Sequence, residues 1–147
     1  MNKIIKPKAD LIFKHIDIPV VEFTLSNVVK GRGLIDTGSE STMLDIAFLK
    51  ANKKCFAVNM TNEKMSFVGF YGNEDRRIIK ASTYIHFGTY ATSLKNVVLA
   101  NLDGINKNMH DMYGDDVHVD IVFGGSFLLE KNIEINYKTR KLVFHES

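Results

Sequence analysis

The feature that most constrains this chain is one turn sequence, Asp36-Thr37-Gly38, that directly follows apolar, strand-like residues. Leu34 and Ile35 precede the turn, and Thr42-Met43-Leu44 resumes a strand pattern after it. Asp and Gly are common in tight turns, so the tripeptide by itself indicates an ordinary turn. Its position between two strand patterns predicts a tight connection that presents a carboxylate.

Two later segments accompany this turn. The apolar run from Val119 to Leu129 contains Gly124, and the stretch from Ile133 to Phe144 has the pattern of a hairpin. In this order the three segments resemble the retropepsin-like aspartyl protease family, from about residue 19 to residue 144. The resemblance implies an all-β fold, a mostly antiparallel, retropepsin-like closed acid-protease barrel. The length of the chain separately indicates that residues 1–147 form a single domain.

Short helices are expected at two places in this barrel. The stretch from Asp45 to Ala51 has apolar residues without Gly or Pro, and Asp45 is a residue type that caps helices. A second short helix is expected from Phe127 to Lys131. Near the N-terminus, the β-branched stretch from Leu11 to Val29 predicts two strands that meet close to Pro19.

The resemblance also assigns the site residues. It implies that Asp36, Thr37 and Gly38 are catalytic. Gly38 would leave its amide open to the Asp36 carboxylate, and Thr37 would reach across a two-fold axis to the loop of a partner chain. Ser39 would lie against the carboxylate, and Gly124 would support the loop from behind.

The implied chemistry needs two carboxyl groups, because one activates a water molecule while the other hydrogen-bonds the peptide carbonyl. The sequence holds one Asp-Thr-Gly; Asp103-Gly104 lacks the Thr, and Asp115-Asp116 lacks the Gly. We therefore expect a homodimer in which each chain supplies one Asp36. Peptides or proteins are the expected substrates, and the mechanism uses no metal and no cofactor.

Glycines and aromatic residues after Met65 predict a hairpin. A strand from Phe56 to Met60 and a turn at Thr61 to Glu63 are expected before it. By resemblance this hairpin is the flap, which closes over bound peptide, and a plain surface hairpin is the alternative. The candidate flap residues are Phe67, Val68, Gly69, Phe70, Tyr71 and Gly72.

The segment from Asp103 to His118 breaks the strand pattern, because it is long, polar and rich in Asn, Asp and Gly. It predicts a loop insertion with one helical turn around Lys107 to Tyr113. Its His and Asp residues match no zinc-binding spacing, so a solvated loop is the favoured interpretation. The alternative is that its apolar side chains lie over the substrate cleft; these are Met109, Met112 and Tyr113.

Composition excludes several functional classes. The net charge is +2, with 19 basic and 17 acidic residues spread along the 147-residue sequence, which gives no case for nucleic acid or a membrane surface as partner. No apolar segment approaches the length needed to cross a bilayer. The single cysteine, Cys55, cannot form an internal disulfide, which is typical of a reducing compartment, so a cytoplasmic location is expected.

Two other interpretations stay open beside an aspartic endopeptidase. The first is a catalytically silent dimer of the same fold that binds peptides or another protein through its cleft. The second is an unrelated small β protein in which Asp36-Thr37-Gly38 is an ordinary turn. The order of the later segments, around Gly124 and from Ile133 to Phe144, argues against the second.

Overall fold

The computed structural model describes residues 8–12, 19–67, 74–114 and 117–145, and most of them lie in strands. A short 3-10 turn at Lys53–Cys55 follows the first helix. The strands are β1 (Lys8–Ile12), β2 (Val20–Leu25), β3 (Val29–Asp36), β4 (Met43–Asp45), β5 (Ala57–Phe67), β6 (Glu74–Phe87), β7 (Tyr90–Ala100), β8 (Ile121–Gly124), β9 (Ile133–Asn136) and β10 (Lys141–Phe144). The helices are α1 (Ile46–Ala51), α2 (Asp103–Tyr113) and α3 (Gly125–Glu130).

Six of the strands close into a barrel. Their order is β2, β3, β8, β4, β7 and β6, and β6 then pairs with β2 through Thr24 opposite His86 and Leu25 opposite Ile85. The β3–β8 and β4–β7 pairs are parallel, and the other pairs in this ring are antiparallel. The prediction of a mostly antiparallel, all-β closed barrel with short helices is confirmed.

The barrel interior is filled by alternating strand residues and by phenylalanines. Val21, Phe23 and Leu25 of β2 are buried, as the two-residue period of a strand requires. The Phe23 and Phe123 rings meet edge to face with centroids 6.2 Å apart. Gly33 makes room for this packing, because a Cβ atom there would lie 2.1 Å from the Phe123 ring. The packing of the Phe123 ring therefore requires the glycine that the sequence has at position 33, just before the Asp36 turn.

Outside the barrel, β9 and β10 form the predicted closing hairpin, and β1 pairs with β10. The turn of that hairpin covers residues 137–140, as expected. Near the N-terminus, β2 begins just after Pro19, in agreement with the predicted break there. An additional turn between Leu25 and Val29 separates β2 from β3 and was not predicted.

The predicted turn at Thr61 to Glu63 is wrong, because β5 runs without interruption from Ala57 to Phe67. Instead, the pairing of β5 with β6 changes register between Met60 and Lys64. Such bulges keep a strand paired while one partner carries extra residues. The hairpin of β5 and β6 is described up to the pairing of Phe67 with Glu74, so the other candidate flap residues lie outside the described part.

The predicted loop after Leu102 is also wrong, since α2 is an eleven-residue helix, Asp103–Tyr113. Ile105, Met109 and Tyr113 pack on a second core cluster that includes Val20, Leu34, Val119 and Val122. Their four-residue spacing follows one face of a helix, and this was the signal that the polar composition concealed. Met109 is buried there and does not lie open over a cleft.

Helix α1 begins at Ile46, as expected, but Asp45 does not cap it with its side chain. The buried Asp45 carboxylate instead accepts a hydrogen bond from the Leu102 amide at 3.3 Å. Helix α3 covers Gly125–Glu130, close to the predicted position. Among the described residues, none of the helices is long and apolar enough to cross a membrane.

Candidate active site

The candidate site lies where the parallel strands β3 and β8 end side by side. Asp36 is the last residue of β3 and is paired with Gly124, the last residue of β8. The chain leaves β3 through residues 37–42 and enters β4, which lies on the other side of β8. The turn therefore arches over the end of β8, and this arrangement brings Gly124 under the loop that carries Asp36.

Local hydrogen bonds orient the Asp36 carboxylate. The Gly38 amide donates to Asp36 Oδ1 at 3.0 Å, and the Ser39 amide donates to the Asp36 carbonyl at 3.1 Å. Asp36 is half-buried, whereas Thr37 and Gly38 are exposed. The predicted amide donation by Gly38 is thus present in the structure. The contact of Thr37 with a second chain stays a prediction.

Hydrogen bonds from residues 124–126 hold the loop to β8 and α3. Gly124 donates its amide to Thr42 Oγ1 at 3.1 Å, and Gly125 donates to the Ser39 carbonyl at 2.7 Å. The Glu40 carbonyl accepts both the amide and the hydroxyl of Ser126, at 3.2 and 2.6 Å. Both ends of the exposed turn are therefore fixed, which restricts where the Asp36 carboxylate can point.

Gly124 lies so close to the loop that any side chain would clash with its backbone. A Cβ atom at Gly124 would lie 2.6 Å from the Ser41 carbonyl oxygen and 2.8 Å from the Glu40 carbonyl oxygen. Both atoms belong to backbone that is itself hydrogen-bonded, so neither can move without disturbing the turn. The structure thus places Gly124 directly behind the loop, as the resemblance implied.

The Ser39 side chain forms a hydrogen bond within the loop. Its hydroxyl donates to the Ser41 carbonyl at 2.9 Å, which stabilises the loop internally. The contact of Ser39 with the Asp36 carboxylate stays a prediction. Two residues that support the loop were not predicted from the sequence. Thr42 accepts the Gly124 amide, and Ser126 donates its hydroxyl to the Glu40 carbonyl. Hydroxyl residues are too common near turns for either role to be visible in the sequence.

The apolar residues before the turn, Leu34 and Ile35, pack inside the fold. Ile35 is buried in the barrel core, and Leu34 packs on the cluster beneath α2. They position the strand that carries Asp36, and apolar contacts to a ligand must come from other residues.

A second carboxylate, Asp120, lies at the opposite end of the β3–β8 pair. Asp120 Oδ2 accepts the Arg32 amide at 3.0 Å, and Oδ1 lies 3.6 Å from His118 Nε2. Burial raises the pKa of the Asp120 carboxyl, and nearby Asp45 adds to the increase; the Arg32 amide and the His118 and Arg32 charges oppose it. This carboxylate holds the start of β8 to β3.

The predicted polar segment after Leu102 brings two histidines together. The His110 and His118 rings lie with centroids 5.6 Å apart, and His110 Nε2 is buried without a hydrogen-bond partner. In the parts of the chain that the structure describes, no three His, Cys, Asp or Glu side chains are grouped closely enough to bind a metal ion. These residues therefore give no basis for a metal centre.

Chemically, the Asp36 loop presents one oriented carboxylate on an exposed turn. A single carboxylate is either proton donor or proton acceptor at a given moment, so it cannot perform both roles in one step. Asp120 cannot assist it, since it is bonded to Arg32 at the far end of the strand pair. Chemistry that needs two carboxyl groups at this turn therefore requires a carboxyl other than Asp120.

No protein-family model matches the sequence, and no curated protein is significantly similar to it. Solved structures do match. The retroviral protease-like domain of Ddi1 from Leishmania major is 13% identical, with a TM-score of 0.51, over 87% of this chain and 93% of that chain. A retropepsin-like aspartic protease from Rickettsia conorii is 13% identical, with a TM-score of 0.48, over 98% and 96%. The first similarity shows that the chain has the retropepsin-like fold.

Proposed function

We propose that the protein is an aspartic endopeptidase that is active as a homodimer, with one Asp36 from each chain. The observation that carries the proposal is the loop geometry: the Asp36 carboxylate accepts the Gly38 amide on a turn whose two ends are hydrogen-bonded to β8 and α3. The retropepsin-like fold and the single Asp-Thr-Gly sequence support it.

The second carboxylate comes from the partner chain in this proposal. Thr37 and Gly38 are exposed and form the tip of the loop, so they can meet the same residues across a two-fold axis. Gly38 carries no side chain, which lets the two loops approach closely. Thr37 then bonds the partner's loop and holds the two Asp36 side chains side by side.

Two adjacent carboxyl groups in a partly dry cleft share one proton, because two like charges at hydrogen-bond distance repel each other. The ionised Asp36 takes a proton from a water molecule as that water attacks the peptide carbonyl. The protonated Asp36 hydrogen-bonds the carbonyl oxygen and stabilises the tetrahedral intermediate. Activity is therefore greatest in mildly acidic solution and falls when the shared proton is lost.

The substrate is an extended peptide that lies beneath the hairpin of β5 and β6. Main-chain pairing with this hairpin provides affinity without a strict sequence requirement. The aromatic residues of the candidate flap favour hydrophobic side chains beside the cleaved bond. Leu34 and Ile35 do not contribute to this preference, since Ile35 is packed in the barrel core and Leu34 on the cluster beneath α2.

The decisive test mixes wild-type chains with Asp36→Asn chains at constant total concentration and measures cleavage of a hydrophobic peptide pool. If each active site needs two Asp36 carboxylates, activity follows the square of the wild-type fraction. An equal mixture then retains about one quarter of the activity after subunit exchange. An inhibitor with a hydroxyl group at the scissile position is expected to block cleavage.

A linear dependence on the wild-type fraction would show that each chain acts alone and would contradict the proposal. Activity that survives in pure Asp36→Asn, or that disappears with a chelator or a thiol reagent, would assign the cleavage to other chemistry. If neither chain cleaves any peptide and both bind peptides equally, the chain is a binding module of this fold.

A further inference from the structure

A polar pocket of about 320 Å³ lies beside the catalytic loop and is not used by the chemistry above. Its walls come from the loop after Asp36, from β6 and β7, and from α3. Ser41 and Thr42 line it on the loop side, and Ser126 lines it on the α3 side. Because Ser126 also bonds the Glu40 carbonyl, the pocket shares a wall with the loop that presents Asp36.

The charge of this pocket is positive. Lys80, Lys95 and Lys131 line it, and Glu130 is the acidic residue among the described lining residues. The Lys131 side chain is only 17% exposed, and its ammonium lies 3.9 Å from Glu130, whose side chain is 71% exposed. A carboxylate at that distance, largely surrounded by water, neutralises the Lys131 charge weakly.

A β-bulge in β7 brings further donors to the rim. Lys95 and Asn96 together face Ser82 of β6, because the pairing shifts by one residue between Ala81 and Thr83. Asn96 has a φ of 55°, and its backbone amide donates to Ser82 Oγ at 3.0 Å. Bulges redirect side chains away from regular alternation, and here both bulged residues are exposed at the pocket.

We infer that this pocket is a subsite for an anionic side chain, a carboxylate or phosphoryl group, of the bound peptide. Ammonium groups with neighbouring hydroxyl and amide donors are the usual ligands of such anions. Ser41 is five residues from Asp36, so the pocket lies at most about 18 Å from the catalytic carboxylate along the loop. A peptide held at Asp36 reaches it within about five residues of the cleaved bond. The inference rests on the proposed function for its peptide ligand.

The test uses a neutral hydrophobic substrate and a series of variants of this peptide. Each variant carries one glutamate, or one phosphoserine, at one position before or after the cleaved bond. At one position the anionic residue is expected to raise kcat/KM about two- to tenfold at low salt, and the gain should shrink as salt increases. Lys131→Met and Lys95→Met should remove the gain. Cleavage of the neutral peptide should stay unchanged.

Two further variants sharpen the comparison. Glu130→Gln removes the opposing charge from the pocket and should enlarge the gain. Lys107→Met makes the same change of charge as the pocket variants at an exposed residue of α2, away from the pocket, and should leave the gain intact. Lys95 is exposed, so Lys95→Met tests the subsite even if Lys131→Met disturbs folding.

The inference is overturned if no position shows a gain, or if the gain persists in both Lys95→Met and Lys131→Met. Binding of free inorganic phosphate to the pocket without any effect on peptides would also overturn it. If the wild type cleaves nothing, binding of the same labelled peptides is measured with the full chain. A preference for the anionic peptide that is lost in Lys95→Met would then support the subsite although the proposed chemistry had failed.

Discussion

Two aspartates lie at opposite ends of the β3–β8 strand pair, and their environments differ. Asp120 is 14% exposed, accepts the Arg32 amide and lies near His118 and Asp45. Asp36 is half-buried and accepts the amide of Gly38, two residues away in its own loop. The Asp120 carboxyl has its partners within the same chain and is largely buried. The Asp36 carboxyl is oriented by its own loop but is not enclosed.

The difference shows that a raised pKa does not by itself identify a catalytic carboxyl. A carboxyl with a raised pKa is often taken as a sign of catalysis, and that criterion selects Asp120. Its bonds to β3, however, give it a structural role. In the proposed homodimer, the carboxyl group that works with Asp36 belongs to the other chain.

The largest effect, a change in kcat/KM, is expected when Asp36 and Asp120 are replaced by asparagine one at a time. Asp36→Asn should lower kcat/KM by about a thousandfold or more, because general acid and base catalysis alone contributes about 10² to 10⁴. Asp120→Asn keeps an oxygen acceptor for the Arg32 amide and should leave kcat/KM within about threefold. Steady-state cleavage of a hydrophobic peptide measures both. Equal losses in the two variants would remove the distinction between a catalytic and a structural aspartate.

The second largest effect concerns the glycine behind the Asp36 loop. Gly124→Ala places a methyl group against the Ser41 and Glu40 carbonyl oxygens and should lower the free energy of unfolding by about 1–3 kcal/mol. Gly125→Ala is the matched control, since a Cβ atom there would lie 3.6 Å from its nearest neighbours. Urea unfolding at fixed protein concentration compares the two. Equal stability of both variants would show that the loop moves freely away from β8.

At the other end of the strand pair, removal of the Asp120 acceptor should be costly. Asp120→Ala leaves the Arg32 amide without its partner and should lower the free energy of unfolding by about 1–3 kcal/mol. Asp120→Asn should lose much less, since an amide oxygen can replace the carboxylate oxygen. If Ala and Asn cost the same, the hydrogen bond to Arg32 contributes nothing measurable.

The smallest effect is the pH dependence that Asp120 brings. Because its pKa is raised in the folded state, the folded protein binds more protons than the unfolded chain between the unfolded pKa, about 3.9, and the folded one. Its contribution to stability is complete below about pH 3.9 and is lost as pH rises through the folded pKa. Asp120→Asn should therefore gain stability relative to wild type from pH 4 to pH 7. A constant difference across that range would contradict the raised pKa.

Local sequence was sufficient for the elements whose physics is local. The Asp36 turn, the hairpin around Lys138 to Arg140 and the short helix after Gly124 were all placed correctly, because turn residues and short-range periodicity determine them. Helix α2 was missed although Ile105, Met109 and Tyr113 are spaced by four residues. The polar residues between them are typical of a loop. The sequence alone does not show the cluster that buries one face of α2.

What the sequence determined by itself is a carboxylate on a Gly-containing turn, one such turn per chain, and a glycine-containing apolar strand late in the chain. Tertiary structure decided the rest. Three kinds of contact join residues 13 to 86 positions apart. They are the hydrogen bonds of Thr42 with Gly124 and of Ser126 with Glu40, the Asn106 side chain that bonds both backbone groups of Val119, and the barrel closure from β2 to β6. Such contacts depend on which strands become neighbours, and short-range sequence patterns do not encode that choice.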